Sequence, residues 1–332
     1  MTLPPRPDGP LRVVIDTDTA NEIDDQFAIA WALMSPDQLQ VEAIHAAPFC
    51  HGHYFEAVDA AAEKRGGERT LLESLAGHIG PERRERMRSE RTAQHGEERS
   101  REEIHRILDV MNLDAPPAVK AGSTRFMESP TDVVDSDAAR HLIELAHAGE
   151  GPLYVATIGA PTNVAASLLI DPSIAEKLVV IFLAGFPSAA PHGDDSFNLV
   201  QDRFASNVLF DSGVPLLYQP GYQVAEVLSF SLPDSERWVK GQGVLGDLLH
   251  EIYVDNPIDR DVEKVGRSWV IWDIIAIAWL LDPAWAPTFE TGRARVTDRH
   301  TWEPIDGTMT EAYKVRRDEI FGDLLGKLAA HA

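Results

Sequence analysis

The chain has one cysteine, Cys50, so it can form no internal disulfide, which suits a reducing compartment. It is also poor in positive charge: 30 Lys and Arg stand against 53 Asp and Glu, a formal net charge of −23. Affinity for phosphate backbones is built largely from Lys and Arg, so this balance argues against a nucleic-acid binder. No uninterrupted apolar run reaches membrane-spanning length, and the longest candidate, Trp269 to Leu281, is broken by Asp273. The first ten residues, MTLPPRPDGP, hold one Arg, several prolines and no apolar segment, unlike a secretory signal. A soluble cytoplasmic protein is the expectation. No internal repeat or interdomain linker stands out, so residues 1–332 are read as a single domain. With 44% hydrophobic residues it can bury a large core.

What the chain does have is a concentration of carboxylates near its start. In VVIDTDTANEIDDQFAIAWA, from Val13 to Ala32, an apolar β-branched run ends in Asp16 and Asp18. Asp24 and Asp25 follow, opening an amphipathic run through Phe27 and Ile29. Alternation along a strand would point Asp16 and Asp18 the same way. Asp24 and Asp25 would meet the free N–H groups of a helix start, and Asp24 alone reads as an N-cap. Four like charges in one volume call for a compensating cation, yet no Lys or Arg occurs between Arg12 and Lys64. The local donors are all oxygen, which favours Ca²⁺ or Mg²⁺ over Zn²⁺.

Further along, apolar strands and amphipathic helices alternate, which implies an α/β fold with an open, mostly parallel sheet and helices on both faces. Residues 63–95 break the pattern with Arg- and Glu-rich runs such as PERRERMRSERT, read as a charged helical insertion; Glu97 to Met111 returns to an amphipathic helix. Ligands in such sheets lie beyond the carboxyl ends of the strands. Three post-strand stretches meet that condition: Asp16 and Asp18, the turn at Ile158 and Gly159, and the loop from Gly185 to Ser196. Taken locally, Thr162 or Asn163 reads as a helix cap, as does Asn198, and Trp272 reads as core packing.

The strand, Asp-x-Asp, loop, Asp-Asp, helix pattern resembles the start of the nucleoside hydrolases, Ca²⁺-dependent enzymes that cleave the N-glycosidic bond of ribonucleosides. The family's usual Asp-x-Asp-Pro-Gly-x-Asp-Asp is here two residues longer and lacks Pro-Gly, which suggests a divergent branch. Ile158-Gly159-Ala160-Pro161-Thr162-Asn163 resembles its Gly-Pro-Leu-Thr-Asn turn, Phe197-Asn198 its Glu-Phe-Asn with Ser196 in place of Glu, and Trp272-Asp273 its final metal-binding Asp. The resemblance implies Ca²⁺ held by Asp18, Asp25, the Ile158 carbonyl and Asp273, with Asp16 supporting them. It implies Asp18 as general base on a water activated by the metal, and Asp24 and Asn198 on the ribose. Asn21 and Glu22, the added residues, are expected to face the sugar.

Many family members place a His before the final Asp to protonate the departing base; here Trp272 stands there and can at most stack on the base or donate a hydrogen bond. His192 is the first candidate for a replacement acid, with His51 and His53 behind it. The resemblance implies a small-molecule nucleoside as partner and a homo-oligomer, dimer or tetramer.

Two other readings compete. One is a catalytically silent nucleoside or carbohydrate binder that keeps the metal site, supported by Trp272 and Ser196. The other is a Mg²⁺-dependent phosphatase of the haloacid-dehalogenase type, which also opens with an apolar strand and Asp-x-Asp but needs a later lysine.

Overall fold

Val13, Val14 and Ile15 are wholly buried on both faces of their strand, as a central parallel strand requires. The computed structural model describes residues 3–51, 92–256 and 267–332. The chain opens with β1 (Leu11–Thr17), α1 (Asp24–Leu33), β2 (Leu39–Ala46), α2 (Ala93–Met111), β3 (Ala118–Lys120) and α3 (Asp137–Ala148). It continues through β4 (Leu153–Thr157), α4 (Thr162–Ile170), β5 (Leu178–Leu183), α5 (Phe197–Val200), α6 (Arg203–Asp211) and β6 (Leu216–Gln219). The last part holds β7 (Ser229–Ser231), α7 (Leu232–Trp238), α8 (Gly243–Val254), β8 (Ser268–Val270), α9 (Ile274–Leu281), β9 (Thr288–Val296), β10 (Trp302–Ala312) and α10 (Arg317–His331).

The main sheet has eight strands in the order β3-β2-β1-β4-β5-β6-β10-β9, parallel except for the antiparallel edge pair β10 and β9. One apolar layer packs α1, α2, α8, α9 and α10 against one face; the other buries residues of α3, α4 and α6. This matches the α/β architecture read from the sequence. The strand order reverses between β1 and β4, where Asp16 pairs with Thr157. Such a switch point opens a crevice at the carboxyl ends of the strands.

Local reasons for the elements are visible. Helix α1 is buried from Asp24 to Ala32, an apolar helix sunk between the sheet and other helices. Thr92 caps α2 by accepting from the His95 amide, so this helix starts at Ala93, four residues earlier than the sequence suggests. The charged stretch 63–91 and His53 lie outside the described residues. Asp202 turns the chain between α5 and α6 and caps α6 from its own side chain. Among the described residues, no helix is long and apolar enough to cross a membrane.

Candidate active site

The switch point carries an open cleft, the usual place for a ligand in such sheets. Asp18, Asn21, Glu22, Asp24, Asp25, Ile158, Asn198, Trp272 and Asp273 all line it. Sequence stretches far apart in the chain thus converge, as the post-strand rule anticipates.

Each side chain is placed by a specific local device. Strand β1 ends at Thr17 and the chain turns, the Asn21 amide donating to the Asp18 carbonyl at 3.0 Å. Asp16 and Asp18 therefore do not share a direction as strand alternation predicted. Asp16 is wholly buried and accepts from Asn163 Nδ2 at 2.9 Å, whereas Asp18 lines the cleft and accepts from Asn21 Nδ2 at 3.4 Å. Asp24 is not the cap of α1: Ile23 occupies that position, and no side chain caps the helix. Asp273 precedes α9 without bonding to the helix's amides. Both carboxylates are thus left for the cleft. The amide of Ile158 donates to the Asp16 carbonyl at 2.8 Å, tying β4 to β1. Gly159 permits this approach, since a Cβ there would lie 2.9 Å from the Asp18 nitrogen.

Thr162, Asn163 and Asn198, which read locally as caps, bridge elements instead. Thr162 Oγ1 donates to Asp202, and Asn163 bonds Asp16. Asn198 Nδ2 donates to the carbonyls of Ile158 (2.8 Å) and Leu183 (3.2 Å), so it joins the ends of β4 and β5 and keeps its oxygen as an acceptor. Ser196, at the position of the resembling family's Glu, lines the cleft and is buried against Asp194.

Electrostatically the site is one-sided. Asp16, Asp18, Asp24, Asp25 and Asp273 are all nearly or wholly buried. Burial pushes every one of their carboxyls up, and repulsion from neighbouring carboxylates adds to this at Asp18, Asp24 and Asp273. Asp16 and Asp25 rise to about 7, hydrogen bonds from Asn163 and Thr17 opposing the rise. No Lys or Arg lines the cleft among the described residues. Oxygens of Asp24, Asp25 and Asp273 lie within 4.8 Å of one another, a group that could hold a metal ion. Asp18 stands outside that tight trio but shares the cleft. An all-oxygen, all-acidic donor set suits a hard divalent cation.

The histidines fall elsewhere. His192 is exposed, its Nδ1 within 2.9 Å of the Gly193 carbonyl and its ring edge-on to Phe186; it does not line the cleft. His51 is buried, its Nε2 lying 3.0 Å from Asn21 Oδ1, so it backs Asn21 from behind. Glu22 accepts from the Trp269 indole at 3.2 Å. Trp272 both packs on the core and faces the cleft.

Tyr222 also lines the cleft, and the sequence reading passed over it. It follows β6 by three residues, so the same post-strand rule marks it. Phe186 is brought to Tyr222 by the loop after β5, which Asp194 latches by accepting from the amides of Phe186 (2.7 Å) and Ser196 (3.1 Å). Gly185 (φ +61°) makes the turn, with no room for a Cβ beside Asp194.

A family model described as inosine-uridine preferring nucleoside hydrolase matches residues 13–319. A curated relative, the pyrimidine-specific ribonucleoside hydrolase RihB of Escherichia coli O1:K1, is 24% identical over 152 residues, 45% of this chain and 48% of its own. The chain thus spans about half the length of the curated relatives it matches. Among solved structures, the plant nucleoside hydrolase PpNRh1 aligns over 97% of this chain and 99% of its own at 19% identity, with a TM-score of 0.61. A purine-preferring ribonucleoside hydrolase from Gardnerella vaginalis covers 96% and 98% at 17% identity and a TM-score of 0.59, likewise sharing the fold. The phosphatase reading fails on a cleft without lysine among the described residues and on this match, which runs through β1, β4 and α9 alike: the chain belongs to the inosine-uridine preferring nucleoside hydrolase family.

Proposed function

We propose that this protein is a Ca²⁺-dependent hydrolase of the N-glycosidic bond of ribonucleosides. The observation that carries the reading is the cleft at the sheet's switch point, where buried carboxylates from β1, α1 and the start of α9 converge with no basic side chain among the described lining residues. Asp25, Asp273, Asp18 and the Ile158 carbonyl would hold the ion, with Asp24 in the same group of oxygens. When bound, the cation supplies compensating charge, anchors sugar hydroxyls and lowers the pKa of water.

The residues of the chain do the rest. Asp18 accepts the proton of the attacking water, from a position that Gly159 and Asn21 fix. Asp24 and the oxygen of Asn198 accept from ribose hydroxyls, and the negative charge of Asp24 favours the oxocarbenium-like sugar as the bond breaks. Asn21 and Glu22 edge the same space and would contact the sugar. Asp16, bonded to Asn163 beneath the cleft, supports the turn that carries Asp18. Trp272 offers a flat face to the base.

The direct test is reducing-sugar release from purine and pyrimidine ribonucleosides, with Ca²⁺ or with chelator, by wild type and Asp18→Ala. Calcium-dependent release that the substitution abolishes is expected. The silent-binder reading draws support from Trp272 at the position of a catalytic His. It predicts nucleoside-dependent thermal stabilisation without release of sugar.

A further inference from the structure

The departing base takes the electron pair of the C–N bond, and it does so inside a cleft lined by five carboxylates, Asp18, Glu22, Asp24, Asp25 and Asp273. Such a lining repels developing negative charge, so departure calls for a hydrogen-bond donor on the base side. His192 lies outside the lining. Asn198 spends its amide hydrogens on two carbonyls, and Asn21 directs its own to Asp18. Ser196 is buried, and its hydroxyl is engaged by the Asp194 carboxylate.

Tyr222 has what these lack. It lines the cleft, remains 38% exposed, and its hydroxyl makes no hydrogen bond among the described residues. The ring is nonetheless held. Phe186 stacks on it at 4.5 Å and 23°, and the Trp272 ring meets it edge-on at 5.5 Å and 70°. Its backbone amide donates to the Gly185 carbonyl at 3.0 Å, and the next amide, of Gln223, is tied to Glu226 at 3.0 Å. The rings touch in the order His192, Phe186, Tyr222, Trp272, so Tyr222 adjoins the residue that stands where the family's acid is expected.

We propose that Tyr222 is a catalytic residue that donates its phenolic hydrogen bond to the departing base. This rests on the nucleosidase reading above. The bond between the anomeric carbon and the base nitrogen breaks, and its electron pair stays on nitrogen while the phenol bonds to the base. Water adds its oxygen to the anomeric carbon. Its proton passes to Asp18 and, through solvent, to the base, leaving free base and ribose with the phenol unchanged.

Tyr222→Phe removes the donor and keeps the ring stack. The measurement is kcat and KM on ribonucleosides and on para-nitrophenyl riboside, whose leaving group departs without such help. Loss of a preorganised donor costs about 100-fold, so kcat on nucleosides should fall by about that factor with KM little changed. The nitrophenyl riboside should be cleaved at nearly the wild-type rate, and calcium-dependent thermal stabilisation should be retained. Equal losses on both substrates, or no loss on nucleosides, overturn the proposal. Wild type that cleaves the nitrophenyl riboside but no nucleoside overturns the nucleosidase reading itself, and the assignment of Tyr222 with it.

Discussion

Asn163 donates its side-chain amide to Asp16 across 147 residues of sequence, joining the start of α4 to the end of β1 at the point where the strand order reverses. Its oxygen meanwhile accepts from the Ser123 amide (2.8 Å) and hydroxyl (2.9 Å), and its amide also donates to the Ala46 carbonyl (3.1 Å), so one buried side chain satisfies groups from three segments. Asn163→Ala strands these groups without water. Each buried polar group left unpaired costs about 1–3 kcal/mol, so a loss of about 3 kcal/mol or more is expected in denaturant unfolding. A loss under about 1 kcal/mol would mean that water replaces the amide.

The carboxylate trio makes opposite predictions with and without metal. In chelator, Asp273→Asn removes one of several mutually repelling buried charges and should raise the melting temperature above wild type. With Ca²⁺ at a hundredfold excess over Kd, wild type should gain about 2.7 kcal/mol, and the variant should gain little. Thermal unfolding of both proteins with and without the ion decides it. A variant that is less stable in chelator would show that Asp273 serves the fold rather than the ion.

Ala20 sits in the loop between Asp18 and Asn21 with φ +81°, a conformation that costs a residue with a Cβ about 1 kcal/mol. Ala20→Gly should therefore stabilise the protein by about 0.5–1 kcal/mol. The denaturation midpoint reads this. Any effect on turnover would show that the strain serves the placement of Asp18.

His45 on β2 is wholly buried, and burial, together with His141 and Lys120, lowers its pKa to about 3 from 6.5. Below pH 6.5 the unfolded chain binds a proton that the folded chain refuses. Its contribution is thus complete above that pH and is lost as the pH falls toward 3, at up to about 1.4 kcal/mol per pH unit. Urea unfolding from about pH 7 to pH 5 should lose less stability in His45→Asn than in wild type. Equal slopes would mean that this histidine is protonated in the fold.

The parallel core was legible because β1, β4 and β5 are continuous apolar runs and are buried on both faces, as such runs must be. The cleft was legible where it uses strand ends and helix starts: Asp18, Asp25, Ile158 and Asp273 all reach it. Positions set by tertiary bonds were not. Asn198 reads as a cap until its amide is seen holding two carbonyls, and Asp16 parts from Asp18 because β1 stops one residue short. Histidine chemistry drew attention to His192, but burial and ring stacking decide which side chain faces the cleft, and Tyr222 does. The β9 and β10 hairpin was passed over, although alternation in TFETGRARV marks it.

The cleft takes its acids from β1 and α1 near one end of the chain and from the start of α9 near the other. During synthesis, Asp18, Asp24 and Asp25 therefore emerge long before Asp273 can join them. A nascent or truncated chain ending before α9 carries the repulsion without the complete ligand set. Assembly of the full acidic group thus requires the polypeptide to be complete through α9.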